Sequence, residues 1–221
     1  MKVIAFSLWG YDPKYCIGAI KNANLASILY PEWVCKFYYG KNTDLDCIKQ
    51  LSTFKNVELI PMSEEGNWTG MFWRFCAADS EDVVISRDTD SRLSLREAEA
   101  VQEWLDSPYD FHIMRDHPYH KTEILGGMWG ARNGILNGIS KKIEKYNKGN
   151  FWQVDQNFLR EHIYSNVKNN TCVHDSCFKI EPNTKQFPTK RIDYEFVGEV
   201  YDHEDQRHPD HYQIIKHYEQ N

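Results

Sequence analysis

The sequence predicts an α/β fold with a largely parallel, doubly wound central sheet. Three observations carry this. Short β-branched runs alternate with longer segments of helical apolar spacing through the first half of the chain, the pattern that lays helices on both faces of a parallel sheet. The run Val83-Val84-Ile85 breaks into a polar turn, Arg87-Asp88-Thr89-Asp90-Ser91-Arg92, and open α/β sheets gather ligands beyond the carboxyl ends of such strands. A chain of 221 residues holds one α/β domain with a full core or two small ones, and no repeat or low-complexity linker divides it, so residues 1–221 read as a single domain.

Residues 3–8 form the first buried strand, ending in a loop with Gly10, Asp12 and Pro13. Apolar residues at helical spacing predict a helix over 17–29, with Pro31 just past its end. Residues 33–39 read as a second strand closed by Gly40, 44–54 as a helix and 57–60 as a third strand. The aromatic-rich stretch 70–78 is helical and leads into the strand before Asp88. Ser94 caps an amphipathic helix over 94–105, with Glu97 at the third position to close a capping box and Ala98, Val101 and Leu105 on one face. Residues 111–114 make another short strand, and 156–164 a helix with Asp155 at its start. From about residue 178 the pattern loosens, and the final stretch with His203, His208, His211 and His217 reads as a solvated, partly ordered tail.

A net charge of −6 argues against a general nucleic-acid binder, which needs a basic face to replace counterions. Six cysteines without C-x-x-C spacing read as buried thiols in a reducing compartment rather than a disulfide framework or a zinc site. Residues 3–6 are too short an apolar run for a signal sequence, and no stretch approaches a transmembrane span, so a soluble, cytoplasmic protein is expected. Seven Trp and thirteen Tyr are abundant for such a chain; sugar rings and bases stack on these side chains, although most are expected in the core.

Asp88 and Asp90, spaced i and i+2 after a buried strand, can hold one hard divalent cation and leave positions open for phosphate oxygens. A D-x-D tripeptide alone is also an ordinary solvated turn; the buried strand ahead of it favours the metal. An EF-hand loop starting at Asp88 would place Leu93 where a glycine belongs and Arg92 where an oxygen ligand should be. An aspartyl-phosphate phosphatase motif would follow the first strand, with Thr or Val at the position of Arg92.

Five pieces then fall in the order found in one family: the first strand running into Trp9-Gly10-Tyr11, the helix with Phe72-Trp73-Arg74-Phe75, Asp88-Thr89-Asp90, Gly126-Gly127-Met128-Trp129-Gly130, and Val154-Asp155-Gln156. In this the chain resembles the GT-A fold nucleotide-sugar glycosyltransferases over nearly its whole length. More narrowly it is similar to small bacterial and viral members, such as the N-terminal glycosyltransferase domain of a chlorella-virus rhamnosyltransferase. The resemblance implies a metal-dependent transferase moving a hexose or deoxyhexose from a nucleotide sugar, expected to be a UDP-sugar, to a saccharide acceptor in polysaccharide synthesis. Residues 1–115 would bind the donor and 116–221 the acceptor.

The resemblance also implies roles. Asp90 would be the stronger ligand of Mn²⁺ or Mg²⁺, with Asp88 assisting or contacting the ribose. His174 would be a third ligand, favouring manganese, although the family's His-Phe-x-Gly pattern is absent. Arg74, Arg87 and Arg92 would reach the donor, with Arg87 the foremost, since guanidinium pairs with phosphate. Tyr11 would stack on the base or pack across the strand end. Gly126 and Gly127 would let backbone approach the sugar or simply turn the chain, and Trp129 would form an acceptor platform. Asp155 is a helix cap, or it faces the sugar as the base of an inverting enzyme or the donor-orienting group of a retaining one; the Asp-Gln pair leans toward retention. His117 and His120 are lesser candidates on the acceptor side. Two rivals stand beside this reading. A sugar nucleotidyltransferase would carry a Gly-rich basic loop where Ser7-Leu8-Trp9-Gly10-Tyr11 stands; the other is a carbohydrate-binding or assembly subunit on a degenerate transferase fold.

Overall fold

In the computed structural model, which describes residues 1–146 and 149–220, the order of elements is β1 (Lys2–Leu8), α1 (Pro13–Leu29), β2 (Val34–Tyr39), α2 (Leu45–Leu51), β3 (Val57–Pro61), a 3-10 helix (Trp68–Asp79), β4 (Val83–Ser86), α3 (Leu95–Leu105), β5 (Phe111–Arg115), β6 (Trp129–Arg132), α4 (Ile139–Lys145), α5 (Val154–Phe158), a π-helical turn (Leu159–Tyr164), α6 (Ser165–Val167), β7 (Thr171–Asp175) and α7 (Pro209–Gln220). The strands form one seven-stranded sheet in the order β3-β2-β1-β4-β6-β5-β7. β3, β2, β1 and β4 run parallel. β6 is antiparallel to both β4 and β5, while β5 and β7 are parallel.

The predicted strands of the first half and the mostly parallel sheet are present. Two strands lie where none was predicted. β6 grows out of the Gly-rich segment, because Gly130 has no side chain to oppose Trp104: a Cβ there would sit 2.7 Å from that ring. β7 contains His174 and Asp175, polar residues that are buried only because they find partners across the sheet.

Side chains of β1 alternate as the pleat requires. Ile4, Phe6 and Leu8 join the larger core beneath α1, α2 and α3, with Phe6 stacked on Phe37 at 4.7 Å. Val3 and Ala5 face the other side with Ala77 and Val84. A second core of Phe72, Phe75, Trp129 and Phe158 ties the 3-10 helix to α5 and β6. Ser94 caps α3 as expected, accepting from Glu97 N, while α1 begins four residues earlier than expected, at Pro13, because Asp12 accepts from Lys14 N; Asp44 likewise caps α2 by accepting from Asp46 N. Glu97 does not close the capping box. It is buried and takes the Arg87 guanidinium at 2.6 Å.

The C-terminal quarter is not a solvated tail. Phe187 and Val197 enter a core with Met114 and Met128. Asp116, fully buried, gathers Arg96, Arg191, the Ser176 hydroxyl and the Val197 amide. The returning chain then crosses the Asp88–Asp90 turn, where Tyr201 N donates to Asp90 O at 2.9 Å and Ser91 bridges to Val200.

The turn is held from the other side by α1. Asn22, fully buried, donates to Ser91 O at 2.9 Å and accepts from Leu93 N at 3.0 Å. A Cβ on Gly18 would lie 1.9 Å from Thr89 O. Gly18→Ala must therefore push α1 off the turn, and we expect a loss of about 1–3 kcal/mol, read by calorimetry as a Tm lowered by several degrees. An unchanged Tm would show that α1 does not rest on Thr89 as described.

Candidate active site

Beyond the carboxyl ends of β1 and β4 lies a cavity of about 870 Å³, whose floor includes Lys14, Arg74, Asp88, Asp90, Gly126 and Asp155. Its size is that of a site for a ligand of cofactor dimensions.

Arg74 organises the floor. Its backbone amide donates to Ser7 Oγ at 3.1 Å, which fixes the 3-10 helix on the end of β1. Its buried guanidinium bonds Asp88 Oδ1 at 2.5 Å and Arg87 O at 3.1 Å through one nitrogen, and Asp155 Oδ2 at 3.1 Å through the other. One side chain thus joins the 3-10 helix, the turn after β4 and the start of α5. Asp155 Oδ1 also accepts from Gln156 N at 2.9 Å, but Asp155 is not the helix cap: Gln153 stands at the N-cap position of α5 and Asp155 lies inside its first turn, facing the cavity. The two glycines are obligatory here: a Cβ on Gly126 would meet Asp155 Oδ2 at 2.3 Å, and one on Gly127 would meet Asp88 Oδ2 at 2.0 Å.

Asp90 is paired with Lys14 Nζ at 2.7 Å. Burial raises the Asp90 carboxyl above the ordinary range and the neighbouring Asp88 charge adds to this, while Lys14 opposes it. Asp155 is also raised, first by burial, with Arg74 pulling it down and Asp88 pushing it up. Burial works against the Lys14 ammonium, but Asp90 outweighs it and the pKa of Lys14 rises. Asp88 is the open member of the set, its side chain 46% exposed.

Of the residues singled out from sequence, Arg74, Asp88, Asp90, Gly127 and Asp155 come together in this cavity, with His117 and His120 on its wall. Four lie elsewhere. Arg87 points away from the cavity: its guanidinium is buried between Glu97, Ser86 O and Trp129 O, where it stitches β4 to α3 and β6. Trp129 is fully buried against Phe75 and Phe111, so it cannot be a platform. His174 sits in β7, two strands beyond β6, hydrogen-bonded to His112 and Glu103. Tyr11 is 71% exposed and outside the cavity lining, while Trp9 and Tyr15 take its place there. Arg92 also turns outward, to Asp205.

Sequence reading missed Lys14, the rim aromatics Trp68 and Trp152, and the histidines His208 and His211, all of which line the cavity. Trp152 is 66% exposed and follows from a visible signal, a Trp three residues before Asp155. Trp68 has no such cue but is tied to the same loop, its backbone N donating to Asn150 Oδ1 at 3.0 Å. Gln153, between Trp152 and Asp155, holds a left-handed φ of 67°, a strained conformation of the kind that concentrates at functional sites.

The solved structures of similar fold are glycosyltransferases. Staphylococcus aureus TarS residues 1–349 in complex with UDP superposes with a TM-score of 0.55 at 14% identity, over 85% of this chain and 59% of that one. A glycosyltransferase involved in glycosylation of the major capsid of PBCV-1 gives a TM-score of 0.50 at 16% identity, over 78% of this chain and 80% of that one. No family model matches the sequence, and no curated protein matches it by sequence. At these identities the likeness defines the fold, which is the one expected from sequence. Among the described residues no helix is long and apolar enough to cross a membrane.

Removing Arg74 leaves Asp155 buried without its countercharge, so Arg74→Met is expected to lose about 3–5 kcal/mol near neutral pH. A carboxyl whose folded pKa is raised binds protons more readily folded than unfolded, so its contribution to stability falls as pH rises through that window. Arg74→Met raises Asp155 further, and the deficit should shrink as pH falls and Asp155 protonates. Urea unfolding of both proteins across pH checks this; a deficit constant with pH would show that Asp155 is not the group left unpaired.

Proposed function

We propose that the chain is a nucleotide-sugar-dependent glycosyltransferase, acting on a UDP-sugar as donor and a saccharide as acceptor. The observation that carries this is the convergence of Asp88, Asp90, Arg74 and Asp155 with the bare backbone of Gly126-Gly127 in one cavity at the carboxyl end of β4. The fold it shares with TarS, solved with UDP, supports the nucleotide. The chain spans 59% of the TarS fragment's length, so the acceptor and the whole protein's activity belong to the proposal.

Residues 1–115 supply the donor half, through Lys14, Arg74, Asp88 and Asp90. The remainder supplies the acceptor half, through Trp152, Asn157, Arg160 and the histidine wall, and exposed rings at the rim suit the apolar faces of a saccharide. The donor set around Asp88 and Asp90 fits a divalent cation. It consists of two carboxylates on the cavity lining. Asp88 and Asp90 would hold Mg²⁺ or Mn²⁺, which take hard oxygen ligands. Such an ion, when bound, offsets the charge gathering on the departing diphosphate.

The chain's own groups act as follows. Lys14, paired with Asp90 on the cavity lining, would be placed to pair with a phosphate oxygen instead if that carboxylate held a cation. Arg74 keeps Asp88 and Asp155 fixed relative to each other. Glycines 126 and 127 leave the room that Asp155 and Asp88 occupy, and so let those carboxylates sit at the cavity. Asp155 is buried and already bonded to Arg74, so it lacks the free reach of a base that must collect a proton from an acceptor hydroxyl. It is better placed to stabilise positive charge at the anomeric carbon as the bond to the diphosphate breaks. The acceptor oxygen then bonds that carbon, and its proton goes to the departing phosphate oxygen. This favours retention.

Calorimetric titration should show UDP binding that requires Mn²⁺ or Mg²⁺ in the wild type and is lost in Asp90→Ala, with GDP as control. Binding of neither nucleotide under any metal would leave a non-enzymatic carbohydrate-binding protein. Asp155→Asn should keep donor affinity while turnover falls about 10²-fold or more; unchanged turnover would reduce Asp155 to a structural partner of Arg74. Trp152→Ala should raise the acceptor KM and leave UDP affinity as it was.

A further inference from the structure

His174 does not reach the cavity, but the place it occupies has metal-binding chemistry of its own. β5 and β7 pair so that His112 stands opposite Cys172, and His174, two residues on, projects from the same face. The ligand atoms of His112, Cys172 and His174 lie within 4.8 Å of one another, and all three residues are buried. The nearest approach is His112 Nε2 to His174 Nδ1, 2.8 Å.

The surroundings orient both rings. Glu103 Oε2 lies 3.2 Å from His174 Nε2; a carboxylate there accepts from Nε2–H and leaves the Nδ1 lone pair aimed at His112. This is the outer arrangement that fixes the tautomer of a metal-binding histidine. Glu103 is held in turn by Lys185 at 2.7 Å. The His112 ring is stacked on Trp104 at 5.2 Å and 14°. Its Nδ1 has no hydrogen-bond partner, so nothing prevents that nitrogen from carrying the proton and presenting the Nε2 lone pair inward. Burial lowers the pKa of both imidazoles, His112 the more strongly, and the neutral ring is the form that ligates. A hydrogen bond between the imidazoles accounts for their approach, but gives the thiol beside them no part.

We propose that His112, Cys172 and His174 form a structural site for one Zn²⁺ ion, separate from the catalytic cavity. Two imidazole nitrogens and a thiolate are the donors a borderline-soft ion takes. Binding forms two Zn–N bonds and one Zn–S bond. The Cys172 thiol gives up its proton to solvent, and His112 moves its proton from Nε2 to Nδ1. The positive charge that remains is offset by Glu103. Because the cluster is enclosed, the ion is taken up as the chain folds, and it clamps β7, the edge strand, to β5 beneath α3.

The test is metal analysis of the purified full chain, with refolding in Co²⁺ as a spectroscopic probe. The expected result is about one zinc per chain and, with Co²⁺, the sulfur-to-metal charge-transfer absorption of a thiolate site. Cys172→Ser and His174→Gln should each lower metal content about tenfold or more, while Asp90→Ala retains it, which separates this site from the cavity. Two results overturn the proposal. Wild-type protein that carries no zinc and shows no cobalt–thiolate band makes the trio a neutral hydrogen-bonded cluster in the core. Zinc that persists undiminished in Cys172→Ser places the ion elsewhere.

Discussion

The interaction on which the site depends is the double ion pair of Arg74 with Asp88 and Asp155. Three chain segments far apart in sequence meet at one guanidinium, and each brings a group that would be unstable there alone. Burying a single carboxylate such as Asp155 is costly, and burying an arginine is costly too; together they are tolerable because planar donors match carboxylate oxygens in direction as well as charge. The pairing also explains the glycines. Once Asp155 and Asp88 are drawn inward, no space remains for a Cβ at positions 126 and 127. The bare backbone facing the cavity is therefore a consequence of the charge arrangement as much as an accommodation of a ligand.

A second buried arginine does comparable structural work on the far side of β4. Arg87 links Glu97 of α3 to carbonyls of β4 and β6. Arg74 and Arg87 are thus neighbours in function as well as in space, since Arg74 also takes the carbonyl of Arg87. One faces the cavity and fixes carboxylates; the other faces the core and fixes the strand that carries them. From the C-terminal side, Asp116 anchors the returning chain, and Tyr201 N and Val200 lay it across the Asp88–Asp90 turn. The turn is therefore gripped by α1, by the 3-10 helix and by the C-terminal segment, each through backbone or buried polar contacts.

The parts legible in the sequence were those governed by local pattern. β1, β2, β3, β4 and α3 follow from alternation, capping and apolar spacing, and Asp88, Asp90 and Asp155 follow from motif order. What was not legible depends on which way a polar side chain turns. Arg87 beside the motif and Arg74 on the preceding helix look alike in sequence; the partner Glu97, expected as a capping-box residue, draws Arg87 inward. Trp129 next to two glycines suggests an exposed platform, yet it lies in a strand because Gly130 makes room for Trp104. The histidines of the last stretch suggest a solvated tail, because nothing local announces that Asp116 recruits residues 191 and 197 from beyond it.

The cations of the cavity indicate how it can receive an anionic ligand without losing its fold. Asp88 and Asp155 share an arginine whose bonds are structural, whereas Asp90 is paired with Lys14, a flexible side chain at the first turn of α1. An ammonium is a point charge on a long stem and can exchange partners, while a guanidinium fork binding two carboxylates cannot do so cheaply. Of the two ion pairs, only that of Lys14 is built to open. On the proposed function, a diphosphate with a divalent cation would offer Lys14 a new anion and Asp90 a new cation together, so the exchange would leave no charge unpaired. The raised carboxyl of Asp90 works in the same direction: it is held in a place where a single lysine only partly offsets burial and the nearby Asp88, and a doubly charged ion answers that deficit more fully.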